Sequence, residues 1–136
     1  MMSLDEPGIR ILLVDDEEAF TRNMSKLLVR RGFRVSTADS GEAAVSAVEE
    51  SEFDVVVLDL KMPGMGGIEA LKIIKRKKPM VEVIILTGHG SVETGIEGMH
   101  HGAFDYAMKP IRIEELQEKI AEAYQRKKIR LQSTQG

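Results

Sequence analysis

Five polar residues in this 136-residue sequence stand where they could do chemistry: Asp15 and Asp16, Asp59, Thr87 and Lys109, each at the carboxyl end of a short, largely apolar run. A lone Asp in such a place is most often a helix cap or a turn former, and any one of these residues taken singly has that plain reading. Their joint placement does not. Three carboxylates brought together repel one another and raise each other's pKa unless a cation compensates, and hard oxygen ligands of this kind suit Mg²⁺ or Ca²⁺. Mg²⁺ keeps several waters and takes only one or two carboxylates, which leaves positions for phosphate oxygens. A carboxylate can then act as nucleophile and form an aspartyl phosphate, while the metal, an ammonium and a hydroxyl neutralise the oxygens of the phosphoryl group in flight. Asp59, Mg²⁺, Lys109 and Thr87 supply those parts. Lysine serves as a point charge and threonine as a hydrogen-bond donor, so neither needs bidentate geometry.

These side chains meet only if the elements that carry them do. Ile9 to Val14 (IRILLV) is a nearly all-apolar run that suits a strand covered on both faces. Phe20, Met24, Leu27 and Leu28 then recur at helical spacing until Gly32, which can take the left-handed C-cap conformation. The alternation repeats: Phe33 to Ala38 as strand, Gly41 to Glu50 as helix, Asp54 to Leu58 as strand, and Ile68 to Lys77 as helix, closed by Pro79. Val81 to Leu86 makes a fourth strand, Val92 to His101 a short helix, Phe104 to Met108 a fifth strand, and Ile113 to Tyr124 a final amphipathic helix. A (βα)5 order implies right-handed crossovers and a doubly wound, five-stranded parallel sheet of the α/β class. Ligands of such folds bind at the carboxyl ends of the strands, where strand order reverses. Four of the five strands deliver their polar residue to that edge.

The bulk properties narrow the function further. A hydrophobic content of 43% supports one core, and 19 basic against 22 acidic residues leave a net charge of −3, which gives no reason to expect nucleic acid or an anionic membrane as a partner. Cysteine is absent, so disulfides and thiolate metal sites are excluded. No apolar run approaches the roughly 20 residues that span a bilayer, and Met1 to Gly8 lacks the features of a signal peptide. The chain reads as soluble and cytoplasmic.

The set Asp15-Asp16, Asp59-Leu-Lys-Met-Pro-Gly (59–64), Leu86-Thr87-Gly88 and Lys109-Pro110 resembles the response-regulator receivers of two-component signalling over about residues 8 to 125. Each motif alone is weak; five polar positions in the right order on the right strands are highly specific. The resemblance implies a flavodoxin-like strand order, 2-1-3-4-5. It implies that Asp59 accepts phosphate from a phosphohistidine on a sensor histidine kinase or phosphotransfer protein. It also implies that Asp16 and Asp59 ligate Mg²⁺, that Asp15 holds it through water, and that the backbone carbonyl of Lys61 completes the set. By the same resemblance Thr87 and Tyr106 form a switch pair, Lys109 pairs with the phosphate, and the Lys109-Pro110 peptide is cis. Residues 1–8 then form an N-terminal extension, 9–125 the receiver and 126–136 a tail or the start of a linker. The stretch Leu86 to Pro110 is similar to the nitrogen-regulator-like subfamily, whose members continue into an ATPase and a DNA-binding module that these 136 residues do not contain. Gly95-Ile96 and Met99-His100-His101 depart from the commonest form of that subfamily's pattern and bear on partner choice. Phosphorylation is expected to reshape the surface of the fourth helix, fifth strand and fifth helix, with a homodimer or target binding as the output.

Other signals carry less. Gly88-His89-Gly90 begins like a dinucleotide fingerprint, but Glu93 stands at the third glycine position and the motif belongs after a first strand. Gly64, Gly66 and Gly67 suit a turn and give backbone freedom beside the metal. His89 is expected at the mouth of the site, exposed or tuning the attack of water. His100 and His101 point about 100° apart on a helix and cannot chelate one ion. Arg126-Lys127-Lys128-Ile129-Arg130 reads as cationic complementation of a helix C-terminus, or else as a linker whose stripe continues to Leu131. The eight methionines read as core filling. Two other function classes fail on the residues after strand one. A haloacid-dehalogenase type of hydrolase would need an Asp-x-Asp nucleophile after strand one, where this chain has Asp15-Asp16-Glu17. A flavodoxin-like redox carrier would need a hydroxyl-rich phosphate loop there, which Asp15 to Glu18 would repel.

Overall fold

Apolar runs form the strands and periodic stretches the helices, in strict alternation. In the computed structural model, which describes residues 8–88 and 92–135, the elements are β1 (Arg10–Val14), α1 (Glu18–Arg30), β2 (Arg34–Ala38), α2 (Gly41–Glu50), β3 (Val55–Leu58), α3 (Gly67–Lys77), β4 (Glu82–Thr87), α4 (Val92–His100), β5 (Asp105–Met108) and α5 (Ile113–Gln135). The strands pair in parallel in the order β2-β1-β3-β4-β5, the doubly wound order expected. Register does the positioning. Val14 pairs with Leu58, so the next residues, Asp15 and Asp59, leave the sheet side by side. Thr87 pairs with Met108, which sets Lys109 beside it at the same edge.

Every residue of β3 and β4 is buried, because helices cover both faces and no side chain of a central parallel strand reaches water. Alternate residues feed two core layers. Leu12, Val14, Val56, Leu58, Val83 and Ile85 pack under α2 and α3, while Ile11, Leu13, Val57, Ile84 and Leu86 pack with Met24 and Leu28 of α1 and Leu116 and Ile120 of α5. Each fully buried Leu or Ile of this kind contributes roughly 1.5–3 kcal/mol. Local stops agree with the sequence. Gly32 takes φ 95°, and Gly32 and Phe33 donate their N–H groups to Val29 and Leu28, the paired bonds of a Schellman end to α1. Ser40 caps α2 by accepting the Ala43 N–H at 3.0 Å.

Three expectations are corrected. Leu27 is 37% exposed, so the core stripe of α1 is Phe20, Met24 and Leu28, spaced by four. The methionines do not all fill the core: Met24 and Met62 are buried, but Met99 and Met108 are exposed. Above all, α5 does not end near Tyr124 but runs to Gln135, and its last turn holds no basic residue. The basic cluster therefore complements no helix end. Lys127 reaches Asp54 at 2.8 Å, and Arg126 and Arg130 reach Glu82, both at 3.2 Å. These contacts tie the helix to the amino edge of the sheet. No helix among the described residues is long and apolar enough to cross a membrane. His89 lies outside the described residues.

Candidate functional site

Asp15 ends β1 and is buried; its N–H donates to the Ala38 carbonyl at 3.1 Å and its Oδ1 accepts the Glu17 N–H at 2.9 Å. These bonds turn the chain into α1 and leave Asp16 exposed beside it. Asp59 ends β3, donating its N–H to the Val14 carbonyl at 3.0 Å and accepting the Lys61 N–H at 3.2 Å. The loop that follows is held from two sides. Glu42 of α2 accepts the Met65 N–H at 2.7 Å, and Gly67 donates to the Leu60 carbonyl at 3.1 Å. A side chain at Gly67 would collide with the Leu60 backbone and the Asp59 carbonyl, and Gly64 has φ 78°, so these two glycines are required by packing and by conformation. Gly66, with open space around it, is required by neither.

The carboxylates of Asp15, Asp16 and Asp59 offer oxygen atoms within 4.8 Å of one another. Burial pushes the Asp59 carboxyl above its ordinary value, and the charges of Asp15 and Asp16 push the same way, against the Lys61 N–H and Lys109. Lys109 follows β5, its N–H donating to the Thr87 carbonyl at 2.9 Å and its peptide to Pro110 being cis. Its Nζ pairs with Asp15 and, at 2.9 Å, with Glu17, and lies 4.2 Å from the centre of the Phe20 ring. Burial opposes the Lys109 charge, but the bonds to Asp15 and Glu17 outweigh it and hold the ammonium above its ordinary value. Thr87 is buried at the end of β4. Tyr106 pairs in register with Ile85 and packs half-buried against the core layer of α2 and α3. An open groove of about 760 Å³ leads from Asp15 and Asp16 along α1, past Arg22 and Lys26, to Thr37 and Asp39.

The donor set fits a small hard cation. Three carboxylates carry more negative charge than one lysine offsets, and oxygen ligands at this spacing are what Mg²⁺ takes. A family model for the response regulator receiver domain matches residues 11–121. The chain belongs to the response regulator receiver family.

The receiver is 40% identical over 115 residues to the transcriptional regulatory protein ZraR of Klebsiella oxytoca, a match covering 85% of this chain and 26% of that protein. It therefore spans about a quarter of the length of that regulator. Among solved structures, a response regulator receiver domain protein from Clostridium thermocellum superposes with a TM-score of 0.84 at 39% identity, covering 89% of this chain and 98% of that one. NtrX from Brucella abortus superposes at 0.88 with 27% identity, covering 93% of this chain and 29% of that one. These relatives set the receiver in the nitrogen-regulator-like group, the subfamily read from Leu86 to Pro110. Receivers of this family work in two-component systems, interact with histidine kinases and bind Mg²⁺ at an acidic pocket.

All five candidate residues thus come to one edge of the sheet. Glu17 and Phe20, which hold the Lys109 ammonium, were not singled out from the sequence. The acidic run from Asp15 to Glu18 is visible there, but which of its members reaches a lysine 92 residues away is decided by the parallel sheet, which brings the ends of β1 and β5 to one edge.

Proposed function

We propose that the chain is a phosphoacceptor switch that takes a phosphoryl group onto Asp59 from a phosphohistidine of a sensor histidine kinase or phosphotransfer protein. The observation that carries this reading is the meeting of Asp15, Asp16 and Asp59 beside Lys109 at the carboxyl edge between β1 and β3, where strand order reverses. A carboxylate oxygen of Asp59 attacks phosphorus, the P–N bond of the donor breaks as the P–O bond forms, and the donor, already protonated on its other ring nitrogen, leaves as neutral imidazole. Asp15, Asp16, Asp59 and the Lys61 carbonyl would hold Mg²⁺. When bound, the ion neutralises the phosphoryl oxygens and the crowded carboxylates. Lys109 leaves its pairing with Asp15 to meet one phosphate oxygen, and the Thr87 hydroxyl donates to another. The protein is labelled and slowly clears the label; it is not an enzyme with turnover on a free substrate.

The switch is the one that the receiver resemblance implies for Thr87 and Tyr106. Drawing Thr87 toward Asp59 vacates space that Tyr106 fills, and the surface of α4, β5 and α5, where Ile96, Met99 and Met108 are exposed, changes shape for a target or for a homodimer. In this reading residues 9–125 are the receiver proper, and 126–136 are a tail or the start of a linker whose first residues, Lys127 and Arg130 among them, dock on the sheet. The domain works in the cytoplasm and touches neither nucleic acid nor membrane itself. Acetyl phosphate with Mg²⁺ should add a single phosphoryl group, seen by intact mass, and Asp59→Asn should add none. Label on Asp59→Asn at the wild-type rate would place the nucleophile elsewhere.

A further inference from the structure

Two glycines of α4 take no part in the chemistry, yet both face the sheet. Gly95 and Gly98 stand three apart on the helix and are buried, while the residues after them, Ile96 and Met99, are 49% and 41% exposed. Glycine is among the worst residues for a helix interior, so a helix of nine residues that carries two is built against its own propensity. Close packing is what each one permits. An added Cβ at Gly98 would collide with the end of the Ile85 side chain. At Gly95 it would lie 2.8 Å from both Cδ2 and Cε2 of Tyr106 and 3.0 Å from Cγ.

Those two collisions differ in kind. The tip of an isoleucine turns about its own bonds, whereas a Cβ at 95 meets the ring along one edge, Cγ included. Flipping the ring exchanges Cδ2 for Cδ1 and leaves Cγ where it was. A partial turn about χ2 moves Cδ2 and Cε2 but not Cγ, so clearing all three contacts takes a change of χ1 or a wider spacing between α4 and β5. We propose that Gly95 is the seat of the Tyr106 ring: the bare backbone of α4 at this point lets the ring lie against the helix and the core layer, and a side chain there drives it off. The consequence for signalling rests on the reading of Tyr106 as a switch residue; the geometry does not. Because a shift between ring positions follows their relative free energies, a glycine at 95 stabilises the ring position against α4 in the unphosphorylated chain. Gly95 is thus a positioning residue that sets the resting state of the α4, β5 and α5 surface.

The test is a double-mutant cycle on the full chain, with wild type, Gly95→Ala, Tyr106→Ala and the double variant unfolded in urea. With Tyr106 present, Gly95→Ala should destabilise. With Tyr106→Ala it should instead stabilise, by about fivefold in the folding equilibrium constant, the weight of exchanging Gly for Ala in a helix. The ring is read directly by NMR, which is simple with two tyrosines: contacts between the Tyr106 ring and the Gly95 α-protons in wild type, and ring signals moved toward free tyrosine in Gly95→Ala. Equal stabilisation by Gly95→Ala in both backgrounds, with the ring signals unmoved, overturns the proposal. If Gly95→Ala does not fold, rescue by Tyr106→Ala supports the seat and failure of rescue overturns it. A parallel measurement keeps the two readings apart. Beryllofluoride with Mg²⁺ should move the signals of α4 through α5 in wild type; if it does not, the switch reading fails while the cycle still decides the seat.

Discussion

Asp54 and Asp59 bracket the four-residue strand β3, and both are 5% exposed, yet the fold treats them in opposite ways. Burial pushes each carboxyl upward. At Asp54 that push is overcome by hydrogen bonds from Arg10 and Lys127, and the group ends below its ordinary value. At Asp59 the nearest company includes Asp15 and Asp16, and the group ends above it. The amino edge of the sheet is a closed electrostatic structure: Asp54 has Arg10 and Lys127, and the fully buried Glu82 has Lys75, Arg126 and Arg130 around it. The Glu82 Oε1 accepts a hydrogen bond from Arg130 at 3.2 Å, while Arg126 lies within ion-pair range of Oε2 without making one. The carboxyl edge is the reverse: among the described residues the carboxylates of Asp15, Asp16 and Asp59, with Glu17 beside them, gather around the ammonium of Lys109. Like charges crowded without full compensation weaken the fold and create affinity for a cation. One edge holds the protein together; the other is left in debt to a ligand.

The sharpest break of that contrast is to neutralise each acid. Asp54→Ala strands Lys127 and Arg10 and should cost about 3–5 kcal/mol of stability, as for removal of one partner from a buried pair. Asp59→Asn removes a charge that the folded state resists, so in metal-free buffer it should stabilise the chain. Urea midpoints measured side by side decide this, and shifts of the same sign would end the comparison. The pH dependence has opposite signs at the two sites. For Asp54 the folded value lies below the ordinary 3.8, so its contribution is complete above pH 3.8 and is lost as pH falls through the folded value. For Asp59 the folded value lies above 3.8, so the folded chain binds that proton more tightly. Its ionisation penalty is absent below pH 3.8, grows across the window up to the folded value, and is complete above it. Wild type and Asp59→Asn should therefore converge in stability below about pH 4.

A cation should act on one edge alone. Mg²⁺ at ten times its dissociation constant should stabilise wild type by roughly 1.4 kcal/mol through mass action. Asp16→Ala should lose most of that gain and Thr87→Ala much less, because only the first removes a hard ligand. Calorimetry with thermal melts measures both, and equal affinities in the two variants would remove the metal from the site. The smallest effect is expected at the amino edge. Arg126→Ala leaves Glu82 with Lys75 and Arg130, and since Arg126 is half exposed the loss should be about 0.2–1 kcal/mol, in the range of surface pairs. A loss comparable to that of Asp54→Ala would mean that the three cations act as one unit.

Much of this was legible in the linear order of residues. Apolar runs alternating with periodic stretches specify a parallel sheet, because a central strand must be apolar on both faces and a crossover helix on one. The residue after each run is then carried to the carboxyl edge, so Asp15, Asp16, Asp59, Thr87 and Lys109 could be named beforehand. The glycine stop of α1 was equally readable, since Gly32 adopts the positive φ that its position implies. What could not be read was each pairing made across the sheet. The docking of α5 beyond Tyr124 is made on Asp54 and Glu82, which lie 73 and 48 residues before their partners Lys127 and Arg130. The exposure of Leu27 depends on how α1 is turned against the sheet. The role of Gly95 depends on a ring eleven positions further on that folds back beside it. Periodicity and strand ends are properties of short stretches, and a sequence determines them locally. Which buried acid meets a cation and which meets another acid is a property of distances in space, and only the tertiary structure decides it.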